Sequence, residues 1–186
     1  MKISGVLLAG GKSRRMGRDK STVLFHGAPL WQNQVELLRR LQLREIFVSA
    51  QTGQPWRPAD VVFVNDDQPS RGPLSGIAAA LSRITTTHLL VLAIDMPFMT
   101  EDYLRRLCEN VGAGRGVVPV NKDCFEPLAA IYPSAARVDF IDALSGNDFS
   151  LQSLARKLIA IGKLRPLQVS EHERALFRNL NEPRDL

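Results

Sequence analysis

The sequence is short of cysteine: 186 residues contain two, Cys108 and Cys124. Two cannot build a disulfide framework, and neither has a second cysteine at metal-ligand spacing. They read as reduced thiols, which places the protein in the cytoplasm. Long hydrophobic runs are missing too. The apolar stretch inside the N-terminal MKISGVLLAGG extends over about five residues, below the roughly 7–15 of a secretory leader. No run approaches the roughly 20 apolar residues of a membrane span. The three histidines (His26, His88 and His172) show no ligand spacing, which argues against a histidine metal site. There is no GxGxxG, no GxxxxGK followed by Ser or Thr, and no GxSxG, so a dinucleotide fingerprint, a P-loop and a hydrolase elbow are all disfavoured. No repeat, low-complexity segment or long linker divides the chain, so residues 1–186 are expected to form a single domain.

An excess of charge is also absent from most of the chain. Residues 21–186 carry 18 basic and 18 acidic side chains. The whole net charge of +5 resides in residues 1–20. A nucleic-acid track needs an extended basic face, whereas one cationic loop suits a small anion. That loop is LAGGKSRRMGRDK, Leu8 to Lys20, with three glycines and five basic residues. Consecutive glycines can turn backbone N–H groups toward a ligand, and Arg and Lys add charge-assisted bonds to phosphate oxygens.

Short apolar runs at Ile3–Ala9, Glu45–Ala50, Val61–Val64, His88–Ala93 and Gly116–Val120 read as buried parallel strands. Helical periods separate them, at PLWQNQVELLRRL, PLSGIAAALSRI, after Thr100, at 134–145 and at 150–158. Thr52–Asp60 and Asn121–Pro127 read as loops. The alternation predicts an α/β fold, a three-layer, doubly wound, mostly parallel sheet with a Rossmann-like nucleotide-binding half.

In such sheets ligands bind at the carboxyl ends of the strands. The polar groups there are Gly10-Gly11 and the cationic loop, Ser49-Ala50-Gln51, Asn65-Asp66-Asp67 with Arg71-Gly72-Pro73, and Asp95. Asp95 ends a buried run of Leu, Val and Ile. A hard divalent cation explains a carboxylate there, because Mg²⁺ takes one or two carboxylates plus phosphate oxygens. Near the C-terminus, Asn179 and Asn181 stand at i, i+2 and can present two amides on one side of an extended segment.

Together these segments resemble the molybdenum cofactor guanylyltransferase family (MobA-like), of the nucleotide-diphospho-sugar transferase superfamily. The resemblance runs over residues 3–186 through LAGGKSRRMGRDK, PLWQNQV, NDD, GPLSGI, IDMPF, EPLAAIY and NLNEPRDL. It implies transfer of GMP from GTP to the phosphate of molybdopterin, with Mg²⁺ as cofactor. By resemblance, Leu8, Ala9, Gly10 and Gly11 line the nucleotide. Arg15 and Lys20 hold the triphosphate, Asp66 (or its neighbour Asp67) contacts the nucleotide, and Asp95 binds the metal. Asn179 and Asn181 fall on the pterin side. The implied partners are GTP, molybdopterin and, transiently, molybdoenzyme maturation proteins, with no nucleic acid and no membrane. The sequence departs from the family at Ser49, commonly Asn, and at Glu182, commonly Thr. The competing readings are a cytidylyltransferase on the same cofactor, a sugar-1-phosphate nucleotidyltransferase, and a non-catalytic nucleotide-binding accessory protein.

Overall fold

A computed structural model describes residues 2–10, 20–50, 56, 58–65 and 70–180. Strand β1 (Ile3–Leu8) leads to a 3₁₀ turn at Lys20–Thr22 and a hairpin of β2 (Leu24–Phe25) and β3 (Ala28–Pro29). Then follow α1 (Leu30–Arg40), β4 (Ile46–Ser49), β5 (Val62–Val64), α2 (Pro73–Leu81), β6 (His88–Ala93) and α3 (Glu101–Glu109). The chain continues with β7 (Gly116–Asn121), β8 (Cys124–Phe125), β9 (Ala129–Pro133), α4 (Arg137–Ser145), α5 (Leu151–Ala160) and β10 (Leu164–Gln168). Among the described residues, no helix is long and apolar enough to cross a membrane.

The main sheet runs β10-β7-β9-β6-β1-β4-β5, with β8 paired onto β7. Strands β6, β1, β4 and β5 are parallel, as is the β7–β10 pair, whereas β9 lies antiparallel between β6 and β7. Alternating side chains load the two faces. Leu7, Val48, Leu90 and Leu92 pack with Leu30, Val35 and Leu38 of α1 and Leu104 and Leu107 of α3. Val6, Leu8, Phe47, Leu89 and Val91 pack with Leu74 and Ile77 of α2, Phe140 of α4, and Leu154 and Leu158 of α5. Each such Leu, Val, Ile or Phe contributes about 1.5–3 kcal/mol on burial. Helices therefore cover both faces, and the expected three-layer, doubly wound, mostly parallel architecture is present.

The helix boundaries follow from capping. Thr100 accepts from the Tyr103 N–H at 3.4 Å, and Ser150 accepts from the Ser153 N–H at 3.3 Å, each satisfying an otherwise orphaned donor. Two expectations need adjustment. In Thr52–Asp60, read as a surface loop, the described Ala59 and Asp60 are exposed, but Trp56 is buried. Its indole stacks on Trp31 of α1 at 4.9 Å between centroids, and that apolar contact outweighs the polar neighbours. The stretch Asn121–Pro127 is not a plain loop at the edge of the nucleotide-binding half. Asn121 ends β7, and β8 folds back on it, far from β4 and β5 in the sheet order.

His88 opens β6 at the end of the sheet opposite the site. It is fully buried, with Nδ1 2.9 Å from the Thr87 hydroxyl and Nε2 making no hydrogen bond among the described residues. Burial disfavours the imidazolium and pushes its pKa below the usual histidine value, against a smaller upward pull from the carbonyls of Gly112 and Arg115. A depressed folded pKa means that the stabilisation is complete above the unfolded value of about 6.5 and is lost as pH falls below it. Between pH 6.5 and 5, the wild-type melting temperature should therefore fall more steeply than that of His88→Asn. Parallel slopes in a thermal-melt series across this window would refute the assignment.

Candidate active site

The site forms where the parallel strands stop together. Leu8 is in register with Ser49 on one side and with Ala93 on the other, and Ser49 with Val64. The pairing continues one step beyond: the Ala9 N–H donates to the Ser49 carbonyl at 2.8 Å, and the Ile94 N–H to the Leu8 carbonyl at 3.1 Å. Backbone leaving this edge has no strand partner, so Gly10 is exposed. Leu8 and Ala9, by contrast, have buried side chains and can offer a ligand little besides backbone.

Lys20 comes back to this edge at the start of the 3₁₀ turn. Its Nζ donates to Asp95 Oδ2 at 3.2 Å and to the Leu180 carbonyl at 2.8 Å. The Leu180 N–H in turn donates to the Asp95 carbonyl at 2.9 Å. Three segments far apart in sequence thus converge: the cationic loop, the DMPF segment and the C-terminal segment. The Leu180 side chain is buried beneath the junction, and Asn179 beside it is exposed. Both charged side chains remain about a quarter exposed. Such a pair contributes only about 0–1 kcal/mol, so Lys20 can exchange Asp95 for an anionic ligand at little cost.

Two supports hold this geometry. The Trp56 indole N–H donates to Ser21 Oγ at 2.9 Å, tying the Lys20 turn to the Trp31 stack. On α1, adjacent amides reach in two directions. Asn33 Nδ2 donates to the Phe25 carbonyl at 2.8 Å, fixing the hairpin, and Gln34 Nε2 donates to the Met96 carbonyl at 2.8 Å, fixing the residue after Asp95. One helix therefore sets the spacing between Lys20 and Asp95. Gln34 is 2% exposed and sits on the apolar stripe, four residues from both Leu30 and Leu38. A polar residue at a stripe position was the available signal for it. Trp56 had a weaker one, an indole in an otherwise polar loop.

Helix α2 closes over the β4 end. A Cβ on Gly76 would stand 2.4 Å from Ser49 Oγ and 3.1 Å from Leu8 Cδ2. Gly76 thus permits close helix–strand approach and leaves Ser49 buried beneath α2. Of the residues expected to act, Leu8, Ala9, Gly10, Lys20, Asp95 and Asn179 lie along this edge. Gly11, Arg15, Asp66, Asp67 and Asn181 lie outside the described residues.

Among the described residues, no group of three or more His, Cys, Asp or Glu could hold a metal ion by itself. A hard divalent cation held by one carboxylate takes its other ligands from phosphate oxygens and water. Asp95, at a strand end beside a phosphate-binding lysine candidate, fits that donor set.

The family described as MobA-like NTP transferase domain matches residues 5–166. A probable molybdenum cofactor guanylyltransferase of Opitutus terrae is 36% identical over 98% of this chain and 92% of its own length. The molybdenum cofactor guanylyltransferase of Xanthomonas euvesicatoria pv. vesicatoria is 30% identical over 97% and 90%. In fold, the chain is similar to molybdopterin-guanine dinucleotide biosynthesis protein A from Archaeoglobus fulgidus, with a TM-score of 0.75 and 23% identity over 98% of this chain and 94% of that one. The family match spans the strand ends, Lys20 and Asp95, and the full-length relatives extend through the closing Leu180 segment. By sequence and by architecture, the chain belongs to the MobA-like NTP transferase family of nucleotidyltransferases.

Proposed function

We propose that this protein transfers GMP from GTP to the terminal phosphate of molybdopterin, giving the guanine dinucleotide form of the cofactor and pyrophosphate. The observation that carries the reading is the Lys20–Asp95–Leu180 junction at the strand ends. A lysine ammonium beside a strand-end carboxylate supports a phosphate-binding role for Lys20 and a metal-binding role for Asp95. We assign the activity to one domain spanning residues 1–186, acting in the cytoplasm, where the unpaired thiols Cys108 and Cys124 stay reduced.

An oxygen of the molybdopterin phosphate attacks the α-phosphorus of GTP. A P–O bond forms there, and the bond from that phosphorus to the bridging oxygen breaks, so the electron pair leaves with pyrophosphate. The nucleophile is already an anion, so little general-base work is needed. The barrier lies in bringing one anion to another, and positioning plus charge neutralisation lower it. Backbone of Leu8, Ala9, Gly10 and Gly11 lines the nucleotide, and Asp66 contacts it. Lys20 and Arg15 take up charge on the departing pyrophosphate. Asp95 would hold Mg²⁺, which supplies Lewis-acid polarisation of the phosphoryl oxygens when bound. Asn179 and Asn181 face the pterin-bearing substrate.

Pyrophosphate release with molybdopterin, Mg²⁺ and a pooled mixture of GTP, CTP and UTP tests the reading. We expect guanine incorporation to exceed cytosine and uracil by at least tenfold. Preferential use of CTP makes the protein a cytidylyltransferase, and nucleotide binding without pyrophosphate release makes it an accessory protein.

A further inference from the structure

Among the described residues, the proposed nucleotide residues Leu8, Ala9 and Gly10 leave the sheet edge at β1, next to β6, which leads to Asp95. The other side of β6, at β9 and β7, carries a carboxylate with no role so far, Glu126. Its backbone is fixed on every side. The Glu126 N–H donates to the Pro119 carbonyl at 2.9 Å, and the Glu126 carbonyl accepts from the Ala129 N–H at 3.1 Å. The preceding Phe125 exchanges two hydrogen bonds with the Gln152 side-chain amide, at 3.1 and 2.8 Å. The following Pro127 carbonyl accepts from the Tyr132 hydroxyl at 2.9 Å.

The side chain is half held as well. Asn121 Nδ2 donates to Glu126 Oε1 at 3.1 Å, while Oε2 makes no hydrogen bond among the described residues. The carboxyl is partly buried, and burial raises its pKa. In electrostatic reach lies the Tyr103 hydroxyl, buried and without a hydrogen-bond partner among the described residues. Leu128, two residues after Glu126, accepts from the Ala93 N–H at 2.9 Å, and Ala93 is two residues before Asp95. Glu126 and Asp95 therefore flank the same end of neighbouring strands.

A carboxylate fixed this firmly, partly desolvated and with one oxygen open, is complementary to two N–H donors set side by side. A 2-amino-4-oxopyrimidine edge presents that pair through its ring N–H and its amino group. Guanine and pterin share this edge, but the described nucleotide residues Leu8, Ala9 and Gly10 follow β1, which β6 separates from β9 and Glu126. We propose that Glu126 is a specificity-determining residue that binds the pterin edge of the acceptor. This rests on the function proposed above.

Glu126→Gln replaces an acceptor oxygen by an amide that faces the ligand's donors. It should raise KM for molybdopterin on the order of 10–100-fold, as loss of a charge-assisted hydrogen bond does, and leave KM for GTP unchanged. Glu126→Asp, which keeps the charge but withdraws it, should give a smaller rise. Direct binding is read by fluorescence titration of each folded variant with 6-hydroxymethylpterin and with the matching lumazine, whose 2-oxo group lacks the amino donor. Wild type should prefer the pterin at least tenfold, and Glu126→Gln should lose that preference. Unchanged molybdopterin KM and unchanged preference overturn the proposal, and a rise confined to the GTP KM assigns Glu126 to guanine instead. A wild-type protein that makes no dinucleotide would refute the proposed function, and the titration would still decide the role of Glu126.

Discussion

Lys20→Ala lowers kcat for guanylyl transfer by about 10²–10³-fold, the usual result of deleting one preorganised group that meets transition-state charge. The lysine reaches the strand edge from a turn that Trp56 and α1 pin in place, and its Nζ stands 3.2 Å from Asp95. Little folding energy depends on it, because an ion pair this exposed contributes at most about 1 kcal/mol. The circular dichroism spectrum and the melting temperature should therefore stay near wild type. Asp95→Ala should cost a comparable factor and also weaken the dependence of rate on Mg²⁺ concentration. The two groups share one junction, so the double variant should lose less than the product of the single losses. Lys20→Arg should not restore full activity, since a planar fork does not replace a compact ammonium between a carboxylate and a carbonyl. Single-turnover rates on folded variants decide the matter, and a wild-type rate for Lys20→Ala would remove Lys20 from the chemistry.

Gly116→Ala destabilises the protein by about 3 kcal/mol, the upper end of overpacking costs. A Cβ at Gly116 would stand 1.9 Å from the Ile131 carbonyl oxygen and 2.9 Å from its carbon. Those are backbone atoms of β9, which cannot swing aside as a side-chain tip can. Relief requires β7 and β9 to separate, although Val117 pairs with Ile131 and Gly116 with Leu164 of β10. Gly146→Ala is the control. Its Cβ would meet only ordinary contacts at 3.6 and 3.7 Å, and its effect should stay within about 0.5 kcal/mol. The urea midpoint reads both, and a wild-type midpoint for Gly116→Ala would contradict the close approach. Because β7 and β9 bracket Glu126, weakening their contact should also raise KM for molybdopterin.

The parallel core was legible because fully buried strands must be continuously apolar. His88–Ala93 is buried at all six positions and shows it plainly. Strands β9 and β10 were not legible. Leu164–Gln168 is an edge strand with Pro166 in its middle and alternating exposure, a pattern that local composition reads as loop. Ala129–Pro133 is short and gains its strand state from distant partners on both sides. The helical period of α1 was legible too, since its apolar Leu30, Val35 and Leu38 are buried and Trp31 packs against the core, but the burial of Gln34 among them has no apolar signature.

At the site, Asp95 is singled out by sequence as a carboxylate closing an apolar run, and Lys20 by the resemblance carried in its glycine-rich cationic loop. Their partnership with the backbone of Leu180 had no sequence signal, since any residue supplies a carbonyl and an N–H. The open oxygen of Glu126 was hidden in the same way. Only tertiary packing reveals which carboxylate has been left half satisfied.

Incubation with molybdopterin, Mg²⁺ and GTP labelled with ³²P at the α-phosphate tests whether the protein transfers GMP to the pterin phosphate. The label should appear in a molybdopterin guanine dinucleotide, with unlabelled pyrophosphate released in equal amount. Label that remains in GTP, or passes to GMP without forming the dinucleotide, while the same incubation with CTP yields a labelled dinucleotide, would contradict that transfer.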